Sequence, residues 1–219
     1  MLFSLIMPVR NEAAGICEVL APLQALRGEL EIILVDGGST DATAERARPL
    51  VDQLLTSPPG RARQMNTGAA AASCDWLIFL HADTRLPPGF TDIIRQQVTE
   101  WGRFDVRLAP SSTLLRLVAW MMNQRSHLTG ICTGDQCLVI RRALFEQLGG
   151  YADLPLMEDI ELSKRLRRHS RPARLRPPLT TSSRRWQQKG VIRTIVLMWG
   201  LRLAYWLGVS PQRLARWYR

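Results

Sequence analysis

The sequence predicts an α/β fold built on a largely parallel sheet, and three observations predict it. Apolar, strand-like runs alternate with helical patterns through the first hundred residues. Each apolar run ends in a polar loop, and in an open α/β sheet the carboxyl ends of the strands form the ligand crevice, so these loops should converge on one site. The chain has 219 residues, 46% of them hydrophobic, enough to bury one substantial core. No internal repeat or low-complexity linker marks a boundary, so a single domain over residues 1–219 is expected.

Leu2–Met7 reads as the first strand: it has no basic leader, is too short for a secretory segment with its cleavage site, and stops at Pro8. Ala13–Leu26 reads as a helix, Glu31–Val35 as a strand, and Asp41–Val51 as a helix capped by Asp41 or Ser39. Arg61–Ser73 is an alanine-rich helix and Trp76–Leu80 a further strand. Beyond Pro87-Pro88-Gly89 come a helix near 90–101, a strand at Arg103–Leu108, a helical stretch at Ser112–Arg125 and a strand at Gln136–Ile140. Met157–Arg168 reads as a helix with Glu158, Asp159 and Glu161 in its first turn and Lys164, Arg165, Arg167 and Arg168 behind them. That order suits a helix dipole, so the acids have a structural explanation beside any chemical one.

Charge is distributed unevenly. Residues 1–159 carry 14 Lys and Arg against 18 Asp and Glu, whereas residues 160–219 carry 15 against 1. Such a block can meet nucleic acid, anionic lipid or acidic substrates, or be a solvated face, so its sign selects no partner. Val191–Val209 is apolar but interrupted by Arg193 and Arg202, which argues against a spanning helix. An amphipathic helix in a membrane interface fits this pattern, with a helix packed on the sheet as the alternative. Cys17, Cys74, Cys132 and Cys137 form no metal-binding spacing and read as reduced thiols of a cytosolic protein.

Four loops in register are far more specific than any one. Pro8-Val9-Arg10-Asn11-Glu12, Val35-Asp36-Gly37-Gly38-Ser39-Thr40-Asp41, Phe79-Leu80-His81-Ala82-Asp83-Thr84 and Pro155-Leu156-Met157-Glu158-Asp159-Ile160-Glu161-Leu162 resemble the motifs of family 2 glycosyltransferases over roughly residues 1–170. The resemblance implies the GT-A fold, a Rossmann-like open mixed sheet flanked by helices, here with C-terminal amphipathic helices. It implies a nucleotide-binding half over 1–100, an acceptor and catalytic half over 101–190, and a basic tail over 191–219. The implied reaction moves one sugar from a nucleotide-diphosphate sugar to a hydroxyl acceptor.

Base and ribose recognition needs hydrogen-bond acceptors, work suited to Asp36 and Glu12, and the resemblance implies the same roles, with Pro8, Asn11 and Ala82 lining that site. Gly37 and Gly38 either let backbone approach a ligand or make a tight turn. Arg61 and Arg63, at a helix start, suit the diphosphate. Asp83 is a hard oxygen ligand for Mg²⁺ or Mn²⁺. The family's Asp-x-Asp is replaced by His81-Ala82-Asp83, which weakens the metal site and makes Mn²⁺ more plausible; His81 could instead bond ribose or phosphate, or be structural. By the same resemblance Asp159 is the catalytic base, and Glu158 either tunes it or binds acceptor. Asp135 is a sugar-binding candidate or a turn former. Ser182 stands where the glutamine of the processive Gln-x-x-Arg-Trp motif would be, which predicts single transfer.

The sequence argues against rivals as well. No GxGxxG follows the first strand and no P-loop is present, which excludes the usual dinucleotide and NTP-binding readings. A sugar nucleotidyltransferase would need a glycine-rich loop where Asn11-Glu12 stands, and a noncatalytic membrane or nucleic-acid module would use only the tail. The apolar Ser112–Arg125 stretch and the basic tail together lead to the expectation of a small-molecule or lipid-like acceptor, peripheral contact with the inner face of an anionic membrane, and no nucleic-acid partner.

Overall fold

The computed structural model describes residues 2–218. Its first half is a run of parallel strands: Phe3–Val9 (β1), Leu30–Asp36 (β2), Gln53–Thr56 (β3) and Trp76–Phe79 (β4). They are linked by the helices Ile16–Leu20 (α1), Thr43–Ala47 (α2) and Arg61–Ala71 (α3). Leu5, Ile32, Ile33 and Leu77 are fully buried, as expected of strands covered on both faces. Thr84–Arg85 (β5), Phe90–Gln97 (α4), Trp101–Ala109 (β6) and Thr113–Thr129 (α5) follow. Then come Leu138–Arg141 (β7), Arg142–Gln147 (α6), Glu158–His169 (α7), Ala173–Ser182 (β8) and Arg184–Lys189 (α8). Val191–Trp206 (α9) and Pro211–Tyr218 (α10) end the described chain.

The strands form one sheet in the order β3-β2-β1-β4-β7-β6-β8-β5. β7 runs antiparallel to β4 and β6, β6 and β8 are parallel, and β5 reverses again. The carboxyl ends of β1, β4, β6 and β8 therefore share one edge with the turn that leads into β7. Chain order reverses between β1 and β4, the kind of switch point where open α/β sheets bind ligands.

Several elements depart from the sequence reading. The predicted helix over Asp41–Val51 is one short helix and a 3-10 turn, because Pro49 removes a backbone donor. Asp41 does not cap it: its carboxylate takes the Thr43 N–H at 3.0 Å and the Ala13 N–H at 3.2 Å, tying two loops together. Ala13–Leu26 divides in the same way, with a 3-10 turn over Ala21–Leu26 that holds Pro22. Ser112 caps α5 by accepting the Leu115 N–H at 3.3 Å, as the sequence predicts for a helix starting there.

Part of the basic block is internal rather than solvated. Asp105 is 5% exposed and pairs with Arg103, itself 1% exposed, and with Arg174 at 2.8 Å and Arg176 at 3.3 Å. Burial opposes ionisation of Asp105, but the Arg174 and Arg103 hydrogen bonds outweigh it and hold the carboxyl below its ordinary range. Arg165 is likewise spent, on Glu161 and on the Leu148 and Gly150 carbonyls.

α9 packs one face inward, through Thr194 and Leu201, and leaves the other bare. Leu201 and Leu214 of α10 meet Met157 and Ile160 at the start of α7 in a small apolar cluster. Among the described residues no helix is long and apolar enough to cross a membrane.

Candidate active site

A cavity of about 670 Å³ opens at the shared edge of the sheet. Pro8 and Glu12 reach it from the loop after β1, Arg61 from the start of α3, and His81, Ala82 and Asp83 from the loop after β4. Asp135 enters from the turn before β7, and Glu158 and Asp159 from the first turn of α7. Nine sequence-predicted residues thus come together there. Asn11, Asp36, Gly37 and Arg63 do not line it among the described residues.

The four outside the lining have identifiable work. Asn11 adopts a left-handed φ of 56°, which asparagine tolerates, and its Oδ1 accepts the Thr40 N–H at 2.8 Å while its own N–H donates to Ser39 Oγ at 2.9 Å. The Glu12 N–H reaches Thr43 Oγ1 at 2.8 Å, so the loops after β1 and β2 are stitched together. Asp36 is 7% exposed and takes the Ser39 hydroxyl at 2.5 Å. Arg63 is held in a two-pronged pair with Asp153, at 2.8 Å from both Nε and Nη2. Gly37 answers to Gln64, a residue the sequence reading did not single out. Buried Gln64 donates to the Val9 and Val35 carbonyls at 2.9 and 2.8 Å, and a Cβ at position 37 would sit 2.8 Å from its side chain. A glutamine one helical turn beyond Arg61, on the same face of α3, was the available signal.

Asp159 is fixed by backbone: its Oδ2 accepts the Gly134 N–H at 2.9 Å and its Oδ1 the Ile160 N–H at 2.7 Å. Gly134 also lies under the His81 ring, where a Cβ would come within 2.3 Å of Cε1 and 2.4 Å of Nε2. His81 Nδ1 stands 3.6 Å from Asp135 Oδ1. Burial works against the Asp135 charge, yet His81, Arg61 and Arg202 together hold its carboxyl below the ordinary range. Glu158, 6% exposed, is pushed up to about 7 by burial first and by the adjoining Asp159 charge second.

Asp83 is exposed to the cavity, with Thr84 Oγ1 donating to its Oδ1 at 3.3 Å. Among the described residues no three His, Cys, Asp or Glu side chains gather as a metal cage. A lone carboxylate fits a hard cation that keeps waters and takes its remaining ligands from a diphosphate.

The C-terminal helices close the far side. Arg184 approaches Glu12 at 3.3 Å, and Arg185 lies 3.8 Å from the centroid of the Tyr218 ring. Arg202 of α9 faces the cavity, and the sequence reading missed it because its role depends on how α9 packs.

An eight-stranded open sheet of this order, with helices on both faces and polar loops meeting at one edge, defines the GT-A class of glycosyltransferase folds. It is similar to TarS from S. aureus in complex with UDP (TM-score 0.66, 19% identity, 83% of this chain and 60% of that one). It is also similar to the mannosyltransferase PcManGT from Pyrobaculum calidifontis in complex with GDP-Man and Mn²⁺ (TM-score 0.62, 20% identity, 82% and 56%). Residues 4–100 match the family model Glycosyl transferase family 2. PGL/p-HBAD biosynthesis glycosyltransferases of Mycobacterium bovis (strain BCG / Pasteur 1173P2) and Mycobacterium tuberculosis (strain ATCC 25177 / H37Ra) are each 36% identical over 93 residues, 39% of this chain. The match spans 36% of the length of those relatives. The match to that family model covers residues 4–100, under half of the chain, and the fold over the whole sheet is that of the GT-A glycosyltransferases.

Proposed function

We propose that the protein transfers one sugar, with inversion, from a nucleotide-diphosphate sugar to a hydroxyl of a small or lipid-like acceptor. The observation that carries this reading is the meeting of Asp83 and Arg61 with Asp159 in one cavity, the first two from the parallel half and the third from α7. Glu12 and Asp36 belong to the nucleoside side, as do Pro8, Asn11, Gly37 and Ala82 through the loops they shape. Arg61 answers the diphosphate from a helix start, with Arg63 behind it. Asp83 would hold Mg²⁺ or Mn²⁺, which when bound stabilises the charge that develops on the departing diphosphate. PcManGT in complex with Mn²⁺ supports that choice by analogy.

Asp159 removes the acceptor proton. Its carboxylate is anchored by two backbone N–H groups, so it is oriented before the acceptor arrives. Glu158, titrating near neutrality, holds a proton beside it and limits the negative charge in the cavity. Asp135, aligned by His81, takes hydroxyls of the donor sugar.

The same reading sets the protein on the cytosolic face of a membrane. Ile192, Val196, Trp199, Leu203 and Trp206 are 57–76% exposed and recur at steps of four and three, one continuous stripe along α9. Arg193, Arg213 and Arg216 lie exposed on the same two helices. Sedimentation with anionic vesicles should capture the wild type and lose Trp199→Ser/Trp206→Ser; recovery of a dimer with no lipid binding would replace the membrane with a second copy.

A thermal-shift panel of nucleotide sugars with Mn²⁺ or Mg²⁺ should select one base and sugar. Transfer should then release the nucleoside diphosphate. Release of pyrophosphate in its place would sink the glycosyltransferase reading.

A further inference from the structure

We propose that Arg167, Arg171 and Arg174 form a seat for a single phosphate group at the edge of the sheet opposite the candidate active site. A second hollow, of about 90 Å³, lies between the end of α5, the end of α7 and the starts of β6 and β8. Arg103, His127, Gly130 and the three arginines of the seat line it, and no carboxylate does among the described residues. Arg103 stands near the start of β6, whereas Leu108, near its end, lines the large cavity. At about 3.3 Å per residue along that strand the two are roughly 16 Å apart, so the hollows are separate.

The fold positions these cations before any ligand arrives. Asp105 holds Arg174 through Nε at 2.9 Å and Nη2 at 2.8 Å, and it pairs with buried Arg103 beside it. Those contacts engage one edge of the Arg174 guanidinium and leave the other for a second anion. Arg167 lies across Gly130, where a Cβ would come within 2.9 Å of its Cδ and 3.0 Å of its Cγ. Gly130 is also the C-cap of α5, with a left-handed φ of 67°, so glycine is required there for two reasons. The Arg167 and Arg171 side chains are exposed and form no hydrogen bond or ion pair among the described residues, so an ion from solvent reaches both.

Cations are favourable at helix C-termini, and α5 and α7 both end here, which accounts for one basic residue at each. Four guanidiniums around one hollow go further, and Asp105 offsets only one of them. A phosphate group supplies the missing charge and oxygens that guanidinium forks bind two at a time. The volume has room for several water-sized groups, as one phosphate needs, and is far below the ~300 Å³ at which small-molecule pockets begin. Leu128, 78% exposed, lines the same hollow, so the phosphate is either free or the head of a lipid whose chain lies along that leucine.

Inorganic phosphate is titrated by calorimetry, at an ionic strength held constant with chloride, into the wild type, Arg61→Gln and Arg167→Gln/Arg171→Gln. We expect saturable binding to the wild type, retained within about threefold in Arg61→Gln and weakened at least tenfold in the double variant. A wild type that binds no phosphate, a loss confined to Arg61→Gln, or undiminished binding to the double variant overturns the proposal. Arg167→Lys/Arg171→Lys keeps both charges but not the forks, and should still bind at least fivefold more weakly than the wild type; equal binding means diffuse charge and overturns the seat. Dihexanoyl phosphatidic acid, added as a monomer, identifies the source. Tighter binding than inorganic phosphate, lost in the double variant, assigns the seat to a lipid head, and equal or weaker binding assigns it to a free phosphate.

Discussion

Replacing Glu158 with glutamine should stabilise the ligand-free protein, and more so in alkali. Its carboxyl titrates near 7 instead of the ordinary 4.5 because the ionised form is buried and adjoins Asp159. Below 4.5 the folded and unfolded chains both carry the proton, and the residue costs nothing. As pH rises the unfolded chain releases its proton first, so the folded state loses ground until both are ionised above about 7. The interval from 4.5 to about 7, at about 1.4 kcal/mol per pH unit, amounts to about 3 kcal/mol. With the side chain only 6% exposed, little of that is screened by solvent. Glu158→Gln removes the ionisation while keeping the shape. Urea unfolding should therefore find the variant more stable by about 3 kcal/mol at pH 8.5 but only about 1 kcal/mol at pH 5. In a chain of this size the alkaline gain corresponds to a rise in Tm of roughly 6–12 °C. Equal gains at the two pH values, or a larger one in acid, would refute the argument that burial and the Asp159 charge set this titration.

Asp159→Asn keeps one of the two backbone hydrogen bonds, since its amide nitrogen cannot accept the other, and it cannot take a proton, so transfer should fall about a hundred- to ten-thousand-fold. Donor affinity by calorimetry should stay within about threefold. Gly134→Ala drives a methyl into the His81 ring, and transfer should drop at least tenfold; adding His81→Ala should restore part of the loss in a double-mutant cycle, and independent effects would contradict the packing described. Asp83→Ala should abolish the Mn²⁺-dependent part of the donor-induced rise in Tm, leaving any metal-free part in place. Asp105→Ala strands the buried Arg103 and should cost about 3–5 kcal/mol in urea unfolding.

The parallel half was legible because β1, β2 and β4 are mostly apolar runs that end in polar loops. β3 was missed: Gln53–Thr56 is a short edge strand, only half-buried, and carries little periodic signal. β8 was missed for a different reason. Pro177 and Pro178 argue against a strand, but Leu175 pairs with Phe104 and Leu179 with Val106, so the prolines fall in a bulge where no ladder hydrogen bond is required. Asp83 and Asp159 could be named from their loops, since each motif is contiguous in the chain. Arg202 could not: an arginine in an apolar helix faces a cavity only once the packing of that helix is known. The basic block after residue 160 was read as a surface feature, whereas Arg174 is engaged in a largely buried pair with Asp105 that only the folded chain brings together.

The stitching of the loops after β1 and β2 has a kinetic consequence. Asn11, Ser39, Thr40, Asp41 and Thr43 pin that wall of the cavity with short hydrogen bonds before any ligand arrives. The opposite wall rests on a small apolar cluster around Leu201 and Leu214, with Arg185 on Tyr218 and Arg184 on Glu12 as its side-chain ties. In the proposed reaction the nucleotide would thus enter a seat already in place on the stitched wall, while the acceptor would come and go past the C-terminal helices.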